Sequence, residues 1–153
     1  MQAASLKLRK NAKAVTSGVT ADTFRQIETS IVYDIDGEEI TSLSGTKDLH
    51  YISSSDMPDI LKRAFVITED RDFYSHHGVD LSAIIRAAVA NVKHNAIKQG
   101  ASTITQQLAK NMFLTQDVTW ERKITEMFAA MELEKKFSKE QILEFYINNI
   151  YYA

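Results

Sequence analysis

Residues 69–78 read Glu-Asp-Arg-Asp-Phe-Tyr-Ser-His-His-Gly, which packs three carboxylates, one arginine and two histidines into ten positions. The run joins two apolar helical stretches, where a purely structural connection more often carries small turn residues. A carboxylate at a helix end beside Phe65 and Phe73 is expected to be partly desolvated, which would suit Glu69 to work as a general base or acid near neutral pH. The plainer alternative makes Asp70, Arg71 and Asp72 solvated ion pairs and His76 and His77 surface or capping histidines. Adjacent histidines point apart on most backbones, lack the HExxH spacing of a zinc helix and have no third ligand at a recognisable interval, so no metal ligand is assigned.

A second polar concentration runs from Gln99 and Gly100 through Ser102, Thr103, Thr105, Gln106 and Gln107 to Lys110 and Asn111. A glycine followed by hydroxyls and amides at a helix start suits an anion, because backbone N–H groups and the helix dipole converge there, and Lys110 adds a full charge for phosphate. Thr103 and Gln106 also form a capping box, and that structural reading coexists with the functional one. The glycines and the Lys-Ser/Thr pair of a nucleotide-binding P-loop are missing. Further on, Arg122 and Glu126 stand one helical turn apart and can pair on one face. Such pairs are usually surface decoration. A second carboxylate still matters, since sugar transfer commonly uses one to move a proton and another to manage charge across the scissile bond. Whether Glu69 and Glu126 meet is not written in their spacing.

The elements that must position these residues are mostly helical. Apolar residues recur at helical spacing at Ile60, Leu61, Ala64 and Phe65, then at Leu81, Ile84, Ile85, Ala88, Val89 and Val92 behind an N-capping Asp80. Ile104, Leu108, Met112 and Phe113 mark a third helix and Ile124, Met127, Phe128 and Met131 a fourth. Ile142, Leu143, Tyr146 and Ile147, behind a Ser138–Gln141 capping box, mark a fifth. Residues 30–40 alternate on either side of Asp36-Gly37, a dipeptide suited to a tight hairpin turn. Residues 1–21 cluster Lys7, Arg9, Lys10 and Lys13 and read as a basic flexible arm or a short exposed helix, leaving 22–153 as one domain.

Composition narrows the class. With 153 residues, 44% of them hydrophobic, one core is expected. The 18 basic and 20 acidic residues nearly cancel, so there is no global field for nucleic acid, and any polyanion must be gripped locally. Cysteine is absent, which removes disulfides, thiolate nucleophiles and sulfur-held metals. The apolar runs fall short of the roughly 18 residues that span a bilayer.

In this order, the segments resemble the glycosyltransferase domain of class A penicillin-binding proteins and monofunctional peptidoglycan transglycosylases, glycosyltransferase family 51. The family's first motif, E-D-x-x-F-x-x-H-x-G, is met at Glu69, Asp70, Phe73, His76 and Gly78, and its second, G-x-S-T-I-T-Q-Q-L-x-K-N, from Gly100 to Asn111. Its third, R-K-x-x-E, falls on Arg122, Lys123 and Glu126. The fourth, K-x-x-I-L-E-x-Y-L-N, falls on Lys139, Ile142, Leu143, Glu144, Tyr146 and Asn148, with Ile147 in place of leucine. The resemblance covers the chain from about Ile27 to its end.

It implies a lysozyme-like, mainly α-helical domain with a short N-terminal β-hairpin that polymerises lipid II into β-1,4 glycan strands, with inversion and release of undecaprenyl pyrophosphate. Carried over position by position, Glu69 becomes the catalytic base and Glu126 the second essential carboxylate. Asp70, Phe73, Ser102, Thr103, Gln106, Gln107, Lys110, Arg122 and Lys123 become substrate-binding residues, while Glu144 and Tyr146 look structural. Implied partners are lipid II, the growing glycan strand, the membrane surface and moenomycin-type inhibitors. Implied location is the extracytoplasmic face of the bacterial membrane. A divalent cation, Mg or Mn, bound with the lipid pyrophosphate is the one cofactor the family suggests.

Two departures stand out. Val118 occupies a position where many members carry an arginine for the pyrophosphate, and the chain stops at Tyr151-Tyr152-Ala153, short of a fifth motif and further helices, so the C-terminal part of the domain and the usual membrane helix are expected to be missing. Met112, Phe113, Leu114 and Trp120 fit either a membrane-facing jaw or the core. Alternatives that keep the same residues are a lysozyme-like peptidoglycan hydrolase with water as acceptor, and an inactive fragment that binds donor lipid.

Overall fold

A computed structural model describes residues 2–25, 30–43, 50–94, 100–115 and 117–150; Ile27, Gln99 and residues 151–153 lie outside it. Among the described residues there are six α-helices: α1 (Gln2–Ser17), α2 (Asp59–Glu69), α3 (Leu81–His94), α4 (Ile104–Phe113), α5 (Trp120–Lys136) and α6 (Lys139–Asn149). One antiparallel hairpin, β1 (Ser30–Tyr33) with β2 (Glu39–Leu43), completes the regular structure. The mainly helical class with a single hairpin is the one the sequence implies.

Polar residues start most of these helices by satisfying orphan N–H groups. Thr103 accepts from the Gln106 N–H at 3.1 Å while the Gln106 side chain accepts from the Thr103 N–H at 3.3 Å. Ser138 and Gln141 repeat the exchange at α6. Asp80 accepts from the Ala83 N–H at 2.9 Å to cap α3, and Thr119 accepts from the Arg122 N–H to cap α5.

The hairpin turn is longer than a two-residue Asp-Gly turn. Its loop spans residues 34–38, with the Asp34 carboxylate accepting from the Asp36 and Glu38 N–H groups at 2.9 and 2.8 Å, and with Gly37 at φ 86°. A register irregularity between Val32 and Tyr33 takes up the difference.

Helix α5 is the axis, with α1 along one side, α4 along another and α6 lying mainly on α4. Aromatic rings close the core: Phe24 stacks on Phe145 at 4.2 Å and meets Phe113 and Phe137 edge-on. The basic N-terminal segment is a docked helix rather than an arm. Ala12 and Thr16 are buried in it, and Lys7, Arg9, Lys10 and Lys13 point to water. Lys136 of α5 donates to the Thr16 and Ser17 carbonyls at the end of α1, where a cation offsets the helix dipole.

Two apolar stripes are less buried than their period suggests. Leu81, Ile85 and Val89 of α3 are each close to two-thirds exposed, and in α2 the buried side chain is Val66 while Ile60 faces water. No helix among the described residues is long and apolar enough to cross a membrane.

Candidate active site

The segment after α2 is fixed by one buried carboxylate. Asp70, the residue that ends the helix, accepts from His76 Nε2 with both oxygens, at 3.1 and 2.9 Å, and from the Ile104 N–H at the start of α4, at 3.1 Å. An anion is favoured at that helix N-terminus. Gly78 completes the junction. Its φ is +90°, its carbonyl accepts from the Thr103 hydroxyl at 2.6 Å, and a Cβ there would lie 2.8 Å from the Ala130 carbonyl carbon of α5. Only glycine fits both the backbone angle and the approach.

Between this segment and residues 100–103 lies a cleft of about 610 Å³, bordered by Glu69, Arg71, Asp72, Asp80, Arg86 and Ser102 among others. Arg86 pairs with Asp72 at 3.1 Å and reaches Asp80 at 3.5 Å. The Ser82 hydroxyl, followed by the Ala83 N–H and Arg86, holds the Asp80 carboxyl below its ordinary value against the opposing effect of burial.

Glu69 is exposed at the end of α2, and its Oε2 accepts from Gln107 Nε2 at 3.0 Å. The neighbouring Gln106 donates instead to Glu126, at 3.1 Å. Two consecutive glutamines of α4 therefore serve two different carboxylates. Glu126 is 1% exposed and also receives Arg122 at 2.6 Å and Lys123, whose ammonium extends to the Ser102 hydroxyl at 2.8 Å. One carboxylate against two cations leaves one surplus positive charge beside the start of α4. Lys110, one turn beyond Gln106 and Gln107, has no ion pair among the described residues and is partly exposed.

The acidic groups offer little to a divalent cation. Among the described residues no three acidic or histidine side chains converge, and Asp70 and Glu126 are already saturated by His76, Ile104, Gln106, Arg122 and Lys123. These residues do not fit a protein-held metal, and no step is routed through one.

The family model for transglycosylases matches residues 36–153, a stretch that contains every residue of this cleft. The chain belongs to the transglycosylase family. It is 47% identical over 124 residues to penicillin-binding protein 1A of Aquifex aeolicus, an alignment covering 81% of this chain and 17% of that protein. It is 44% identical over 124 residues to penicillin-binding protein 1A/1B of Bacillus subtilis, covering 81% and 14%, and 45% identical over 126 residues to penicillin-binding protein 1A of Clostridium perfringens, covering 79% and 18%. The chain thus spans less than a fifth of the length of these curated relatives.

Within this transglycosylase chain the residues singled out by sequence divide into two groups. Glu69, Ser102, Gln107, Lys110 and Lys123 keep some exposure and are open to a ligand. Asp70, Phe73, Thr103, Gln106 and Glu126 are buried. Phe73 does not line the cleft: its ring is fully buried, with Lys139 4.4 Å above it and His76 and Tyr74 edge-on. Thr103 and Gln106 spend their polar atoms on the cap, on Gly78 and on Glu126, so their contact with a substrate is replaced by shaping of the helix start. Arg122 is mostly buried against Glu126 and the Asp117 carbonyl. Val118 is 96% exposed, so no packing dictates its side chain.

Sequence reasoning passed over Arg86, whose only signal was a cation six residues after a capping Asp80. It also set Tyr146 aside as structural, although its hydroxyl donates to the Gln107 side-chain oxygen at 3.0 Å.

Proposed function

We propose that this chain carries the catalytic centre of a peptidoglycan glycosyltransferase that polymerises lipid II into β-1,4 glycan strands at the extracytoplasmic face of the bacterial membrane. The observation that carries the reading is the exposed Glu69 carboxylate on the cleft, aligned by an amide of α4, with cations gathered around the start of the same helix. In the proposed step, Glu69 takes the proton of the acceptor GlcNAc 4-hydroxyl as that oxygen attacks MurNAc C1 of the growing strand. The C1–O bond breaks with inversion, and its electron pair leaves on undecaprenyl pyrophosphate. A pyrophosphate leaving group needs charge stabilisation more than a proton, and Lys110, Lys123 and the Ser102 hydroxyl are the groups available to supply it. Glu126 acts from behind them, holding Lys123 and Arg122 in place. Exposed Trp120 and the stripe of Leu81, Ile85 and Val89 are apolar surfaces that can face lipid.

Glu69→Gln tests the reading. It keeps the contact geometry but cannot take a proton, so lipid II polymerisation should fall by about a thousandfold, while a moenomycin-type inhibitor of the donor site binds within a few fold of the parent. Parental turnover by this variant refutes the assignment of Glu69.

A further inference from the structure

Glu69 is the last residue of α2, where unpaired carbonyls and the negative end of the helix dipole face its carboxylate. Its own helix therefore does nothing to hold it, and an exposed glutamate has several rotamers of similar energy. Among the described residues the hydrogen bond that holds its side chain comes from Gln107 Nε2, on a different helix. That contact depends on which way the Gln107 amide is turned. Were the amide reversed, its oxygen would face a carboxylate that can only accept, and the two oxygens would repel.

The Tyr146 hydroxyl selects between the two orientations. A phenol donates well to the Gln107 oxygen, 3.0 Å away, and this leaves Nε2 directed at Glu69. Tyr146 is itself immobilised: it is 1% exposed, and its ring meets Phe65 edge-on at 5.9 Å. Phe65 lies one turn before Glu69 on α2, so a single α6 side chain touches both the helix that carries Glu69 and the amide that aims it.

We infer that Tyr146 is a positioning residue for the proposed reaction, acting through Gln107 to hold the Glu69 carboxylate in the orientation that receives the acceptor proton. This rests on the assignment of Glu69 as the base. Donor direction runs one way along the chain, from the tyrosine O–H to the glutamine oxygen and from the glutamine N–H to the carboxylate. Neither residue is consumed or protonated in the step. Removing the hydroxyl leaves the core volume almost unchanged and releases the amide.

The test combines a spectrum with kinetics on the 153-residue chain. In the parent, the Gln107 side-chain amide, identified by its loss in Gln107→Met, should give separated proton signals with slow solvent exchange, and Glu69→Gln should displace them. In Tyr146→Phe the same signals should move towards those of a free glutamine. With a lipid-linked disaccharide donor, kcat of Tyr146→Phe should fall by about three- to tenfold with KM within about twofold. Tyr146→Phe combined with Gln107→Met should be no slower than Gln107→Met alone, because the tyrosine acts only through the amide. Unchanged Gln107 signals in Tyr146→Phe, or a double variant slowed by the product of the two single effects, overturns the inference. Failure of the underlying reading shows elsewhere, as normal turnover by Glu69→Gln, and the amide spectrum then still decides whether Tyr146 orients Gln107.

Discussion

Asp70 offers the sharpest separation between a residue that touches substrate and one that builds the site. Replacing it with asparagine preserves shape and removes the charge. His76 Nε2 and the Ile104 N–H both donate to Oδ2, and His76 Nε2 also lies 3.1 Å from Oδ1, so an asparagine with its oxygen in the Oδ2 place turns its NH2 towards the His76 N–H, donor against donor. If His76 switches tautomer to accept from the new amide, its Nδ1 gains a proton in a buried position that has no partner among the described residues. Either way one buried polar group is left unsatisfied, at about 1–3 kcal/mol, and the α4 N-terminus loses its anion, at about 0.3–1 kcal/mol. The sum is roughly 1–4 kcal/mol, which for a chain of this size lowers the melting temperature by about 3–16 °C. Asp72 supplies the control. It pairs with Arg86 at 3.1 Å, but its side chain is 49% exposed, so Asp72→Asn should cost at most about 1 kcal/mol and under about 4 °C. Thermal melts at neutral pH, followed by circular dichroism, compare the two directly. Equal shifts, or an Asp70→Asn variant within about 2 °C of the parent, would contradict the tie between the loop and α4.

Gly78→Ala should be at least as damaging, because φ is +90° and the new Cβ meets the Ala130 and Met131 backbone at 2.8–2.9 Å. A loss of about 2–4 kcal/mol is expected in urea unfolding, with Gly18→Ala, where nothing lies within 4 Å, as the reference. Asp80 has a folded-state pKa below its ordinary value, so its contribution to stability is present above about pH 4 and is lost as pH falls through the lowered value. The melting temperature of Asp80→Asn should therefore lie below that of the parent at neutral pH and approach it in acid. For Lys110→Ala, binding of a moenomycin-type inhibitor should weaken by about tenfold while the melting temperature stays within about 2 °C, as suits a partly exposed cation without an ion pair among the described residues. Unaltered affinity removes Lys110 from the donor site.

Much of the scaffold was legible because helix starts have local chemistry. Thr103 with Gln106, Ser138 with Gln141 and Asp80 all cap where their spacing predicts, since these bonds lie within one turn and need no tertiary information. The period of α3 was legible too, but not its burial, because apolar spacing fixes a helix face and says nothing of whether a partner covers it. Docking of α1 was hidden for a related reason: its buried positions, Ala12 and Thr16, are too small to register as an apolar stripe. At the site, residue types pointed to Glu69 and to the start of α4. The division of labour between Gln106 and Gln107 escaped, since it depends on which partner each meets across the fold, 20 and 38 residues away along the chain.

The closeness of Gly78 to Ala130 has a mechanical meaning for the reaction. Glu69 sits on a segment that ends at this glycine, and Arg122, Lys123 and Glu126 ride on α5, the helix the glycine touches. Main chain rests on main chain there, with no side chain as a spacer. The interval between Glu69, the proposed proton acceptor, and the cations of α5 is thus set in part by backbone thickness. Surface residues on either element are free to vary without stretching or shortening that interval, and a ligand bridging both sides would find it already set.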